Sequence, residues 1–144
     1  MTVASMLGAK GREIVTTTAE TTVADAAATL AANKIGALVV IGAGGRLAGI
    51  VSERDIVRVV AQRGATALDD RLADVMTRNV VTCGESETVD QVMARMTRGR
   101  FRHLPVVEDG KLIGIISIGD VVKARIEQVE REAEDMRAYI AAAV

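Results

Sequence analysis

The chain has 144 residues, which is enough for one compact unit but leaves no room for a catalytic domain beside a regulatory one. Its formal net charge of -1 and its 1% of aromatic residues provide neither the basic surface nor the stacking rings that nucleic-acid-binding domains use. The 49% of hydrophobic residues can form a packed core in a chain of this size.

The first elements predicted along the chain are a strand, a helix and a hairpin. Residues 14–18 form a β-branched run, and Thr22 is suited to cap a helix, with an acidic residue three positions later. The helix carries apolar residues at the spacing of one buried face, namely Val23, Ala26, Ala27 and Leu30. Residues 38–41 and 47–51 predict a hairpin. The Gly42–Gly45 run between them is interpreted as a turn, because a strand follows it where a phosphate loop would be followed by a helix.

The second half of the chain repeats the first. Residues 15–57 align with residues 81–122 with one gap near Gly44, and the segments 3–7 and 72–76 also resemble one another. Neither half would bury its apolar face alone. We therefore expect the two halves to pack together about a pseudo-twofold axis.

The second copy predicts the same order of elements. Residues 80–82 indicate a strand, Thr88 and Gln91 indicate a helix cap, and residues 104–107 and 112–116 indicate a hairpin. The buried stripe of this helix is formed by Val89, Val92, Met93 and Met96.

The last helix continues well past the point where its counterpart in the first copy ends. Its apolar residues alternate steps of four and three, as in the a/d seam of a heptad: Val122, Ile126, Val129, Ala133, Met136 and Ile140. The seam is shorter than three heptads. Three interpretations stay open: a helix folded back on its own domain, pairing with a second copy, or pairing with a client protein.

Two copies of β-α-β-β-α, each containing Gly-x-x-Ser-x-x-Asp, resemble tandem CBS domains, the cystathionine-β-synthase modules. The motifs are residues 49–55 and 114–120, and the segment from Arg102 to Val107 strengthens the resemblance. It implies an α/β (α+β) fold of two pseudo-twofold related CBS repeats packed sheet to sheet, with a C-terminal helical extension. The predicted divisions are 1–68 for the first repeat, 69–125 for the second and 126–144 for the extension.

The paired Ser-x-x-Asp motifs have two explanations. The ordinary one is a capping box, in which Ser52 or Ser117 accepts from the first helical turn and Asp55 or Asp120 reaches back. The functional one is that the Asp accepts the hydroxyls of a ribose, while the Ser and the helix N-terminus face phosphate. The CBS resemblance implies the functional role. Gly49 and its counterpart mark positions where a ligand or another backbone comes close.

Arg102 and His103 form a second candidate element. They stand directly before an apolar strand, which holds their backbone, and Arg forks onto phosphate oxygens. The alternative is a solvated cationic face beside a hydrogen-bonded histidine. The resemblance implies one cleft that contains Ser52, Arg54, Asp55, Arg102 and His103, with the backbone of Val80, Val81 and Thr82 against adenine.

The mirror cleft would combine the second motif with the first strand. Its predicted residues are Ser117, Asp120, Val15, Thr16 and Thr17. Gly119 stands where the first motif has Arg54, and Gly36 and Ala37 stand where the second copy has Arg102 and His103. We therefore expect this cleft to have lost most of its cations and to be weak, apolar-leaning or empty.

The resemblance implies a regulatory sensor that binds an adenine nucleotide (AMP, ADP, ATP or NAD(H)) and transmits occupancy to an unknown partner protein by shifting a conformational equilibrium. No catalysis is expected, because the cleft lacks a metal-holding carboxylate cluster and a general base. The arginines favour phosphates over a sulfonium ligand such as S-adenosylmethionine. Alternatives are a structural dimerisation module with vacant clefts and, less favoured, nucleic-acid binding through Arg95–Arg102.

The remaining expectations concern partners and location. A homodimer is expected, because paired CBS modules commonly form a disc of two chains. A single Cys83 and a single His103 exclude an internal disulfide and a zinc site with several soft ligands, so Cys83 is expected to be structural. No signal peptide is apparent, and the apolar stretches are far shorter than the roughly 18 residues of a membrane span. We expect a soluble, cytoplasmic protein without membrane contact.

Overall fold

The computed structural model describes residues 1–143, and their main elements are five α-helices and five strands. In chain order they are α1 (Val3–Lys10), β1 (Thr16–Thr18), α2 (Val23–Asn33), β2 (Ala37–Ile41), β3 (Leu47–Ser52), α3 (Glu53–Arg63), α4 (Val89–Gly99), β4 (His103–Glu108), β5 (Lys111–Ser117) and α5 (Ile118–Ala143). The mixed α/β architecture and both hairpins are confirmed.

The first copy forms a three-stranded sheet in the order β1-β2-β3. Strand β1 pairs in parallel with β2, and β2 pairs antiparallel with β3. The predicted cap of α2 is half confirmed: the Thr22 hydroxyl accepts from the backbone N–H of Asp25 at 3.2 Å, and no return bond from Asp25 is present in the described chain. The Gly42–Gly45 run is a turn, as predicted, with positive φ at Gly44 and Gly45.

The predicted strand at residues 80–82 is wrong as a regular strand. In the second copy only Cys83 makes a parallel bridge, to Val106, beside the two-stranded sheet β4-β5. Side chains form hydrogen bonds with backbone groups on either side of Cys83, and a longer strand would need those groups for pairing with β4. The guanidinium of Arg95 donates to the Thr82 carbonyl at 2.6 Å, and the Gly84 N–H donates to the Glu87 carboxylate at 2.7 Å. The capping box of Thr88 and its N3 residue is confirmed in full.

Each of the two hydrophobic cores is completed by the lead-in segment of the other copy. Helix α1 packs into the second core, where Leu7 lies so close to Gly114 that a Cβ there would be 2.6 Å from its Cδ2. Residues 72–76 pack into the first core, where Met76 approaches Gly49 in the same way. Both motif glycines therefore admit another part of the chain. The division at residues 68 and 125 stays a prediction.

Cys83 belongs to the second core and is 4% exposed. Burial, reinforced by the nearby Glu87 carboxylate, raises the pKa of its thiol to about 12. A thiol with this pKa is almost entirely protonated at neutral pH and is a poor nucleophile. A structural role fits this environment.

Helix α5 has 26 residues and runs without a break through the predicted start of the extension. It buries Val121 and Ala124 against its own domain, while the larger apolar residues of the heptad seam are exposed. The interpretation of a tail folded back on its own domain is therefore wrong. Among residues 1–143, no helix combines the length and apolar character needed to cross a membrane.

Candidate functional site

A cavity of about 280 Å³ lies where the two copies meet. The first copy contributes the ends of β2 and β3 and the first turn of α3, and the second copy contributes the segment before Cys83 and the residues that lead into β4. The lining residues are Gly36, Ile50, Ser52, Glu53, Arg54, Asp55, Arg58, Thr77, Asn79, Val80, Val81, Arg100, Phe101, Arg102 and His103. Of the residues predicted for the first cleft, all but Thr82 line it.

Asp55 is buried at the start of α3, with 9% of its surface exposed. One carboxylate oxygen, Oδ2, accepts from the Ser52 N–H at 2.9 Å and from the Ser52 hydroxyl at 3.1 Å. The Ser52 Oγ in turn accepts from the Asp55 N–H at 3.3 Å. The capping box is therefore formed. The other oxygen, Oδ1, has only the Arg58 guanidinium at 3.5 Å, so it retains capacity to accept hydrogen bonds from a ligand.

The backbone at residues 77–81 is held against β3 by two hydrogen bonds. The Ile50 N–H donates to the Thr77 carbonyl at 3.0 Å, and the Thr77 N–H donates to the Ile50 carbonyl at 2.9 Å. The missing side chain of Gly49 makes this approach possible. Within residues 1–143, the backbone of Val81 has no hydrogen-bond partner, so its N–H and carbonyl are free to meet the edge of a base.

Thr82 lies outside the cavity lining, and its predicted contact with adenine stays a prediction. Its carbonyl accepts from Arg95 at 2.6 Å, and the same guanidinium donates to the Glu87 carboxylate at 2.5 Å. The Arg95 guanidinium therefore already has hydrogen-bond partners within the second copy. This engagement weakens the nucleic-acid interpretation, which requires a run of free cations from Arg95 to Arg102.

Four arginines and two carboxylates line the cavity, which gives it an excess of positive charge. Arg54 and Arg102 were predicted, and Arg54 donates to the Arg100 carbonyl at 3.3 Å across the two copies. Arg58 and Arg100 were missed as cavity residues. The signal for Arg58 is its position three residues after Asp55 on α3, because such pairs face one another on a helix. The position of Arg100 depends on the left-handed turn, φ 56°, that ends α4.

His103 packs against Gly36, which lies opposite it in the cavity. A Cβ at Gly36 would be 3.1 Å from the His103 Cε1 and 3.2 Å from its Nε2, so a larger residue there would require the ring to shift by a few tenths of an ångström. Gly36 therefore lines the first cavity beside His103. Burial lowers the pKa of His103, and Lys10 and Arg102 act in the same direction, while Glu53 and Asp120 oppose them.

A cation that the sequence analysis missed lies beside the second Gly-x-x-Ser-x-x-Asp motif. The Lys10 ammonium, in the last turn of α1, donates to the Asp120 carboxylate at 2.5 Å and to the Ile115 carbonyl at 2.9 Å. Asp120 also accepts from the Ser117 N–H at 2.8 Å. The lead-in helix α1 therefore supplies one cation at this motif, and the weaker binding expected of the mirror cleft stays a prediction.

The first strand does not meet this motif through hydrogen bonds in the described chain. Val15 packs against the first core, Thr16 pairs with Val39 in the sheet, and the Thr17 hydroxyl donates to Thr21 at 2.8 Å. The role predicted for these three residues in a mirror cleft stays a prediction.

Replacing Lys10 with Gln should cost stability that depends on pH. Burial alone would raise the pKa of Asp120, but the Lys10 and Ser117 hydrogen bonds outweigh it, and the pKa is lowered. A lowered carboxyl pKa stabilises the fold above the ordinary Asp range, and this contribution is lost as pH falls through the native pKa. We expect Lys10→Gln to lose about 0.5–1 kcal/mol at pH 7 in urea titrations.

The difference from wild type should be smaller at pH 3, below the ordinary pKa of Asp, because part of the Asp120 carboxylate is then protonated. Arg12→Gln is the control, because Arg12 also bridges an acidic residue, Glu85, at 2.7 Å on the surface. An equal loss for Lys10→Gln at both pH values would contradict the assigned ion pair.

A family model for the CBS domain matches residues 11–62 and 72–127. The chain belongs to the CBS domain family. The two matches correspond to the two copies, and the CBS fold expected from the sequence is confirmed. A solved CBS-domain-containing protein from Agrobacterium tumefaciens is 52% identical, with a TM-score of 0.84 over 86% of this chain and 92% of that one.

Two further solved CBS proteins contain adenosine ligands. A CBS domain protein from Pyrobaculum aerophilum, PAE2072, is complexed with AMP; it is 31% identical, with a TM-score of 0.74 over 83% of this chain and 89% of that one. The CBS domain pair of protein MJ0100 is complexed with 5′-methylthioadenosine and S-adenosyl-L-methionine. It is 27% identical, with a TM-score of 0.79 over 89% of this chain and 98% of that one.

Curated CBS domain-containing relatives from Arabidopsis thaliana are longer than this chain. One, named as mitochondrial, is 37% identical, and this chain spans 62% of its length. Another is 33% identical, and this chain spans 21% of its length. The expected cytoplasmic location stays a prediction.

Proposed function

We propose that this CBS domain pair is a regulatory sensor that binds an adenine nucleotide in the cavity between its two copies. The observation that carries the proposal is the joint presence of Asp55, the free Val81 backbone and four arginines around one cavity. These are acceptors for a ribose, polar groups for a base and donors for phosphate. The volume of about 280 Å³ is near the lower end of the usual range for small-molecule sites.

Each group has a proposed role in binding. The Asp55 Oδ1, which has only the Arg58 guanidinium beside it, accepts from the ribose hydroxyls. The Val80–Val81 backbone pairs with the adenine edge. Arg54 and Arg102 donate to phosphate, assisted by the N-terminus of α3, whose dipole favours an anion. Arg100 and Arg58 add positive charge around the same space.

The proposed ligand carries phosphate. The relatives that bind AMP and S-adenosylmethionine have similar sequence identity to this chain, 31% and 27%. Similarity to them therefore does not indicate which ligand this chain binds. The excess of arginines supports AMP, because it repels a sulfonium cation and attracts a phosphate. Mass spectrometry of small molecules released from the purified protein is the direct test. A released adenine nucleotide supports the proposal, and S-adenosylmethionine or RNA fragments would overturn it.

The proposed role is regulatory and not catalytic. Within residues 1–143, no cluster of three or more His, Cys, Asp or Glu residues is arranged to hold a metal ion. A route for a signal exists, because the Arg102 carbonyl accepts from the N–H of Ile118, the first residue of α5, at 2.8 Å. A ligand that prefers one arrangement of Arg102 would shift the population of α5 positions. A structural module with vacant clefts would show neither binding nor this shift.

AMP binding should draw a proton onto His103. The lowered pKa keeps the ring neutral at pH 7 in the free protein, and the ligand-free fold should lose stability as pH falls below the ordinary histidine range, since the unfolded state binds the proton more tightly. A phosphate beside the ring raises its pKa. We expect calorimetry at pH 7 in two buffers of different ionisation enthalpy to show proton uptake with AMP.

His103→Asn is the control for this measurement. The phosphate itself titrates near pH 6 and also exchanges protons on binding. Subtracting the proton uptake of the variant from that of wild type leaves the contribution of His103. Adenosine should cause no uptake in either protein. Identical proton balances for wild type and variant would show that phosphate does not lie near His103.

A further inference from the structure

The two faces of α5 have opposite surroundings. Val121 and Ala124 are buried against the chain's own domain. On the other face the heptad seam is open to solvent: Ile126 is 52% exposed, Met136 is 60% exposed and Ile140 is 57% exposed. We call residues 122–143 of α5 the arm.

An exposed apolar seam of this kind indicates that another helix packs against it. From Val129 onward every residue of the arm except Ala133 is exposed, over a length of roughly 22 Å. Isolated helices of about 15 residues are marginal in water, because tertiary packing supplies most of their stability. The a/d spacing of the seam suits packing against one other helix of similar pattern.

We propose that the arm pairs in parallel with the arm of a second copy of this chain. The heptad places Val122, Val129 and Met136 at d positions and Ile126, Ala133 and Ile140 at a positions. The flanking e and g positions then hold charged residues. Whether the facing charges attract or repel depends on whether the two helices are parallel or antiparallel.

The parallel orientation makes both flanking charge pairs attractive. A g residue faces the e residue five positions later on the other helix, so Arg125 faces Glu130 of the second copy, and Glu132 faces Arg137 of the second copy. Symmetry doubles each pair. The seam and its flanks are therefore complementary to a copy of themselves.

The antiparallel orientation brings like charges together. In this arrangement e faces e and g faces g, so Glu130 meets Glu130 and Glu132 meets Glu132 when the seams overlap fully, and Lys123 meets Arg137. Like-charge contacts therefore favour the parallel orientation over the fully overlapped antiparallel one. The arm alone is short, with Ala133 in its centre, so it adds to contacts between the domain bodies.

This inference concerns the homodimer expected from the sequence and does not depend on nucleotide binding. A charge-swap series tests it. Glu132 and Arg137 are chosen because Arg125 also lies 3.4 Å from Asp90 of its own chain. Glu132→Arg and Arg137→Glu each place like charges across a parallel interface. Each should weaken dimerisation about five- to tenfold in sedimentation equilibrium.

The double variant Glu132→Arg/Arg137→Glu should restore wild-type dimerisation. Residues five apart do not face one another on a single helix, so the rescue must come from the second copy. Glu134→Arg, at an outward b position, is the matched control and should have no effect. Failure of the double variant to recover, or a monomeric wild type, would overturn the proposal.

Disulfide trapping tests the orientation. A parallel pair brings the two Met136 positions together, so Met136→Cys should give a covalent dimer on mild oxidation. Ala138→Cys, at the outward f position, is the control and should stay unlinked, as should the buried native Cys83. Equal linkage of both variants, or a captured client protein in place of a second copy, would contradict the parallel homodimer.

The two proposals fail separately. Loss of dimerisation in the charge variants with AMP titrations unchanged would support the arm and leave the sensor intact. Normal dimerisation and trapping in a protein that binds no nucleotide would overturn the sensor alone.

Discussion

Replacing Asp55 with Asn should weaken binding of both adenosine and AMP by about ten- to a hundredfold. The ribose diol would lose a charged acceptor, and hydrogen bonds to charged groups contribute about 1.5–3 kcal/mol each. Both ligands carry the ribose, so both should be affected alike. Isothermal titration calorimetry measures the two affinities directly.

Asp120→Asn is the matched control, because Asp120 occupies the same position in the second motif and is paired with Lys10. It should leave affinity at the first cavity unchanged. Both variants remove the returning half of a helix cap, so each should lose up to about 1 kcal/mol of stability without ligand. If Asp55→Asn lost only this stability and bound both ligands normally, its role would be capping alone.

The double change Arg54→Gln/Arg102→Gln should lower AMP affinity at least about tenfold while sparing adenosine. Charge-assisted bonds from Arg to phosphate are stronger than neutral ones, and only AMP carries the phosphate. The ratio of the two affinities is the decisive quantity, since damage to the fold would lower both. Parallel titrations with AMP and adenosine provide it.

Arg98→Gln/Arg46→Gln is a control with the same change in charge. Both residues are exposed and lie outside the cavity lining. Affinity for AMP should stay within about twofold of wild type after allowance for long-range screening. A similar loss in the control would mean that AMP senses only the overall charge, and the assignment of Arg54 and Arg102 to phosphate would be wrong.

The start of α5 connects the proposed nucleotide cavity with the arm that we propose to pair with a second copy. The Arg102 carbonyl holds the N–H of Ile118 at 2.8 Å, and the arm begins one turn later on the same helix. A ligand that moves Arg102 would therefore act on the helix that we propose to join two copies. This connection offers a physical route from a bound nucleotide to the surface that a regulated partner would meet.

The amino-acid sequence by itself determined the features that depend on local order. The two copies, the caps at Thr22 and Thr88, both hairpins and the turn at Gly42–Gly45 follow from residue spacing and turn chemistry. The seam of α5 was visible for the same reason, since helical periodicity is a property of neighbouring residues. Most of the first cavity was also anticipated, because the repeated motif and the CBS resemblance indicated which segments meet.

Only the tertiary structure decided the contacts between distant segments. Lys10 reaches Asp120 across 110 positions of sequence, and this depends on the exchange of lead-in segments between the two cores. The fit of Gly36 to His103 and the capture of the Thr82 carbonyl by Arg95 likewise need the packed arrangement. The physical reason is that a side chain's partner is set by which surfaces are buried together. Periodicity and spacing do not contain that information for segments far apart in the chain.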